Sequence, residues 1–119
     1  FLWKISLQKW RLIMTLINKY KIIWSPNAHY ELQNIKYYIK NYLKEKNTAK
    51  NIVRKILSSI SKLSYFPEKY AKIQIYNKNH NVRKMSVANY LVIYEVDNIS
   101  HKVFILHIYH SSQNYFNYL

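Results

Sequence analysis

Residues 82–110 read VRKMSVANYLVIYEVDNISHKVFILHIYH, and no other stretch restricts the fold of this chain so tightly. Three short runs rich in β-branched and aromatic residues are broken at Ala88-Asn89 and at Asp97-Asn98, the pattern of an antiparallel meander. The first and third strands of a meander run the same way, so residues far apart in sequence are expected to converge on one surface. Arg83 and Lys84 stand at the entrance, and Tyr109 and His110 at the exit. A basic pair facing a Tyr-His pair has the chemistry of a phosphate-handling site; four ordinary surface residues would look the same. The chain contains no glycine, so every left-handed backbone position must go to another residue, Asn best of all. Asn47, Asn79, Asn89 and Asn98 fall where the pattern changes and are predicted to supply helix C-caps and hairpin turns.

Upstream, YKIIW at 20–24 predicts a short strand, and Ser25-Pro26 opens a helix with Ser as N-cap and Pro at the first helical position. Ala28, Leu32, Ile35, Ile39 and Leu43 follow at helical spacing, with Glu31 near the start and Lys44 and Lys46 at the end, as the helix dipole favours. Asn47-Thr48 breaks the run, and Thr48 is the expected N-cap of a second helix carrying Ala49, Ile52, Val53, Ile56, Leu57, Ile60 and Leu63. A linker this short predicts an antiparallel helix hairpin, ended by Phe66-Pro67. A strand is expected over 71–76, a polar loop over 77–81, and a tail over 111–119. Two long apolar helix stripes need a sheet face to cover, so the fold class is α+β in two layers: strand, helix hairpin, then an antiparallel sheet of three to four strands.

Length sets one domain with a real core. The 19 Lys+Arg against 5 Asp+Glu give a formal net charge of +14, which costs a small domain stability through self-repulsion. An acidic partner relieves that repulsion: nucleic acid, an acidic protein or an anionic membrane all qualify. An AT-rich coding bias accounts for Lys over Arg but not for so few acids. Cysteine is absent, which excludes disulfides and thiolate metal sites and fits a cytoplasmic protein. The five His show no H-x-x-x-H spacing with carboxylate support, so neither a metal nor another cofactor is expected.

The first residues, FLWKISLQKWRLIMTLINK, place Trp3, Leu7, Trp10, Met14 and Ile17 on one helical face, with Lys4, Arg11 and Asn18 away from it. Charge interrupts the segment too often for a membrane span. Two readings stand: a basic amphipathic helix lying on a membrane surface, or residues upstream of a natural start at Met14. Residues 1–19 are therefore an N-terminal extension to a single domain over 20–119.

YKIIWSPNAHYELQNIKYYI, ISKLSYFPEKY, VRKMSVANYLVIYEVD and VFILHIYHSSQNYF occur in this order. Together they resemble the RelE/ParE superfamily of type II toxin–antitoxin toxins over roughly residues 20–119. The carrying features are the S-P-x-A opening, the F-P-E after the hairpin, the R-x-x-x-x-x-N-Y-x-x-x-Y-x-V run and the terminal Y-H. The resemblance implies a RelE/ParE-like fold and a toxin held inactive by an acidic antitoxin along the hairpin and sheet, with Leu32, Ile39, Arg83 and Tyr94 in that contact. Fold alone does not decide the target. ParE-like members poison DNA gyrase; RelE-like members are ribosome-dependent mRNA endonucleases.

For mRNA cleavage, the resemblance implies that Arg83 would stabilise phosphate charge, His110 would protonate the leaving oxygen and Glu68 would act as general base. Arg83, Lys84, Tyr109 and His110 would bind the target, Tyr109 by stacking. Each has a plainer role: Arg83 as a solvated strand end or antitoxin contact, Tyr109 and His107 as strand residues, His110 as a surface side chain, Glu68 as the start of a loop. Many relatives carry Arg or Lys after the last strand, where this chain has Ser111, Ser112 and Gln113. That loss favours the gyrase-directed, non-enzymatic reading. A plain nucleic-acid-binding module is the weakest alternative.

Overall fold

The computed structural model describes residues 6–17, 19–42, 44, 46–74 and 79–112. Helix α1 (Leu7–Ile17) is followed by β1 (Lys21–Trp24), helices α2 (Pro26–Asn41) and α3 (Lys46–Lys62), and strands β2 (Val82–Val87), β3 (Tyr90–Asp97) and β4 (Lys102–His110). The chain is thus α+β, with the helix hairpin packed on one face of a four-stranded sheet of order β1-β4-β3-β2. The meander is antiparallel throughout. β1, however, joins it parallel to β4, with Ile22 opposite Val103 and Trp24 opposite Ile105, so the sheet is mixed rather than purely antiparallel. Side-chain alternation is the same for a parallel and an antiparallel neighbour, so a four-residue strand carries no sign of its direction.

Alternation sorts the strand residues onto two faces. Met85, Val92, Tyr94, Val96, Val103, Ile105 and Ile108 meet Ala28 and Leu32 of α2 and Ile56 and Ile60 of α3 in the main core. Ile73, Val82, Leu91, Ile93 and Tyr109 form a smaller cluster on the other face. Burying each aliphatic side chain contributes about 1.5–3 kcal/mol, so Leu32 of α2 and Ile56 and Ile60 of α3 together hold the hairpin on the sheet. Leu57, expected in that stripe, is exposed at its margin.

Backbone chemistry corrects several sequence expectations. Ala88 (φ 50°) and Asn89 (φ 67°) both take the left-handed region in the β2–β3 turn, as a two-residue type I′ turn requires. Asn89 there agrees with the sequence expectation. Among the described residues, Lys44 (φ 53°) and His101 (φ 54°) fill the other left-handed positions, not Asn47 or Asn98. Asn98 instead follows Asp97, whose carboxylate accepts the N–H groups of Ile99 and Ser100 and shapes the turn. α3 starts at Lys46, so Thr48 lies inside its first turn rather than capping it. The strand expected over 71–76 is, among the described residues, a single bridge between Lys72 and Arg83. The Tyr76 end of that strand, Leu43, Asn18 and tail residues 113–119 lie outside the described residues. Ser25 caps α2 as expected, its Oγ accepting from the Ala28 N–H at 3.0 Å.

Candidate functional site

The residues singled out by sequence fall into two separate places. The first is a polar knot built on Arg83. Its guanidinium donates to the carbonyls of Tyr70 (2.7 Å) and Glu68 (3.0 Å) and to the Asn81 side chain (3.0 Å). Its other terminal nitrogen lies 3.6 Å from the Glu68 carboxylate. The Arg83 side chain is only 15% exposed. Glu68 also accepts from Asn98 at 2.6 Å, and Asn98 in turn accepts from the Tyr20 hydroxyl. Tyr94 lies beneath, fully buried, donating its hydroxyl to the Pro67 carbonyl at 2.7 Å. Burial pushes the Tyr94 phenol up to about 12, so it stays a neutral donor. Phe66-Pro67-Glu68, legible as a helix terminator, is therefore the segment that Arg83 and Tyr94 together tie to the sheet.

The second place is the far end of β4. β1 stops opposite Ile105, and a bulge at Leu106 shifts the β3–β4 register. Ser25 serves both features: its N–H donates to Ile105 O (2.9 Å) and its hydroxyl to Leu106 O (2.8 Å). Further along α2, Glu31 accepts the Ile108 N–H at 3.1 Å and lies 3.2 Å from His107 Nδ1. The carboxylate thereby satisfies a strand edge that no neighbouring strand pairs. His107 stacks on Tyr109, ring centroids 4.9 Å apart. His110 is exposed, with Nδ1 2.7 Å from Ser112 Oγ and accepting the Ser112 N–H. Its ring meets the edge of Tyr90. Asn27, Glu31, Asn34, Ile35 and Tyr38 of α2 face Tyr90 and the 107–110 segment across an open groove of about 840 Å³. His107, Tyr109 and His110 are legible in the sequence as candidates, whereas Glu31 reads there as a dipole-compensating residue. Only the β4 bulge brings it to the strand.

The register keeps the two places apart. Arg83 is opposite Tyr94, while His110 is opposite Tyr90. Four residues along the sheet and two strands across it separate their backbones by roughly 16 Å, and the Arg83 side chain reaches toward residues 68–70. The convergence expected from the meander does not occur: parallel first and third strands put the entrance of one and the exit of the other at opposite ends. Lys84 lies beside Arg83 on β2, and its N–H donates to Ala71 O. Tyr109 is buried.

The residues expected to meet an antitoxin are mostly covered. Leu32, Ile39 and Tyr94 are all buried, so in this conformation they underlie the surface instead of offering it. The exposed aromatic residues on the hairpin are Tyr30, Tyr37, Tyr38 and Tyr42, with Tyr42 stacked on Tyr38 and edge-on to Tyr37. Lys36 and Lys40 lie on the same helix. Among the described residues no three His, Asp or Glu side chains converge as a metal ligand set, and no helix is long and apolar enough to cross a membrane.

A two-layer fold of this topology recurs in solved toxin–antitoxin complexes. The chain is similar to the chromosomal ParDE system of P. aeruginosa, with a TM-score of 0.62 and 18% identity over 78% of this chain and 97% of that one. It is similar to the archaeal RelE–RelB complex of Pyrococcus horikoshii OT3, with a TM-score of 0.59 and 19% identity over 80% and 98%. The RelBE2 complex of Mycobacterium tuberculosis follows, with a TM-score of 0.50 and 16% identity over 77% and 98%. No curated protein matches the chain in sequence. The family model for the ParE toxin of type II toxin–antitoxin system, parDE, matches residues 22–115. The chain belongs to this family of type II toxin–antitoxin toxins.

Proposed function

We propose that this toxin acts in the cytoplasm by poisoning DNA gyrase without catalysing a reaction, and that an acidic antitoxin neutralises it. The observation that carries the non-enzymatic reading is the separation of Arg83 and Glu68 from His110. Cleavage of RNA by attack of a ribose 2′-hydroxyl needs a base, an acid and a cation around one phosphate. Here Arg83 is engaged by two carbonyls, an amide and a carboxylate, and His110 stands at the other end of the sheet. The antitoxin reading rests on family membership and on charge. A chain with a net charge of +14 is complementary to an acidic partner, and the exposed tyrosines of α2 provide amphipathic anchors of the type enriched at interfaces.

The groove between α2 and β4 keeps mRNA cleavage as the alternative, because Glu31, His107 and His110 all line it. Parallel assays separate the two: supercoiling by purified gyrase, and primer extension on ribosome-bound mRNA, each with the wild-type chain and His110→Ala. The expected result is inhibited supercoiling with intact transcripts, unchanged in His110→Ala. Codon-phased cuts that vanish in His110→Ala would overturn the gyrase proposal. Arg83→Ala is the less clean variant, since it also releases the 66–70 segment.

A further inference from the structure

Helix α1 is not used by either site. It makes no extensive contact with another described element, yet Leu7 (66%), Leu12 (61%), Trp10, Ile13 and Met14 are all exposed. Leu7, Trp10, Ile13 and Met14 fall at three- and four-residue steps and so share one side of the helix. Residues 1–30 contain no Asp or Glu but include Lys4, Lys9, Arg11, Lys19 and Lys21. We infer that α1 docks the toxin onto an anionic lipid surface, lying in the plane of the headgroups with Leu7, Trp10, Ile13 and Met14 inserted and the surrounding cations on the phosphates.

Three observations favour this occupant. Eleven residues make a helix about 16 Å long, far short of the ~30 Å hydrocarbon core, so the helix lies on a bilayer and does not cross it. A basic helix with Trp on its apolar side suits the headgroup boundary. Lys9, beside the apolar residues, reaches the phosphates by extending its stem along the interface. A second copy of the chain is disfavoured by charge, since two molecules of +14 would bring only cations to an α1–α1 contact. An antitoxin has less claim on this helix, because the family match begins at residue 22. The P. aeruginosa relative is matched over 97% of its own length by 78% of this chain, so relatives of that length have little to align with α1.

Sedimentation of the full chain with vesicles tests the inference, independently of the gyrase reading. Vesicles of phosphatidylcholine and phosphatidylglycerol (3:1) are compared with pure phosphatidylcholine, at low and high salt. The expected result is binding to the anionic vesicles that weakens at high salt. It should fall at least tenfold in Leu7→Gln/Trp10→Gln and, separately, in Lys9→Glu/Arg11→Glu, because apolar insertion and charge both contribute. Circular dichroism should be unchanged in both variants. Equal binding to pure phosphatidylcholine, or no loss in either variant, would overturn it. So would a dimer by analytical ultracentrifugation that the apolar variant dissociates.

Discussion

At the scale of single residues, Arg83 and Tyr94 serve the fold. Both hold residues 67–70 against the sheet, by charge-assisted and by buried neutral hydrogen bonds respectively. Removing one partner from such a bond leaves the other unsatisfied, at a cost of about 1–3 kcal/mol. Tyr94 adds a pH dependence. Its phenol is raised from 10.0 to about 12 by burial, despite the opposing influence of Arg83. An acid whose pKa is raised on folding stabilises the native state below its unfolded pKa and loses that contribution as pH climbs through the folded value. Stability should therefore decline between about pH 10 and 12. Tyr94→Phe, which keeps the ring but cannot ionise, should be less stable at pH 7 and lose less across that window in urea titrations. A parallel decline in both proteins would show that other groups dominate.

At the scale of elements, the turns had to be built without glycine. Asn tolerates a positive φ because its short side chain bonds locally, but Ala88 has no such compensation at φ 50°. Ala88→Gly should relieve the strain and outweigh the added flexibility of the unfolded chain, raising stability by about 0.5–1 kcal/mol. Ala88→Val should lower it, since a β-branched residue is least tolerated there. Thermal melts of the two variants give opposite shifts if the strain is real; a lower Tm for Ala88→Gly would exclude it. The β2–β3 turn was visible in sequence because two strong strand patterns flank it. The Lys44 and His101 positions were not, because a left-handed Lys or His is chosen by where the neighbouring elements end. Likewise Lys72 makes only one bridge to β2, although its sequence context suggests a strand: pairing is decided by what lies beside it.

At the scale of the whole molecule, the proposed antitoxin contact rests on charge and exposed aromatics. Leu32, Ile39 and Tyr94 are buried, while Tyr30, Tyr37 and Tyr38 of α2 are exposed, and the proposed antitoxin surface is built on those outer tyrosines and the lysines around them. Steering of an acidic chain to this surface should weaken steeply with salt. Calorimetric titration with the cognate antitoxin should show binding that declines between low and physiological salt. Tyr37→Ala/Tyr38→Ala should cost at least ~2 kcal/mol, the loss expected of central aromatic anchors. Salt-independent binding, or no loss in that variant, would place the antitoxin elsewhere.

The sequence by itself determined the α+β class, the hairpin stripe of Leu32, Ile56 and Ile60, the Ser25 cap, the three-strand meander and the family resemblance. These depend on local periodicity and short-range chemistry, which a linear pattern carries. Tertiary structure alone decided that β1 runs parallel to β4, that a bulge at Leu106 brings Glu31 to the strand edge, and that Arg83 and His110 stand at opposite ends of the sheet. Those outcomes depend on strand register and direction, set by which elements pack together across dozens of residues. A one-residue shift in pairing redirects a side chain to the other face, which is why the site's geometry is a property of the folded chain.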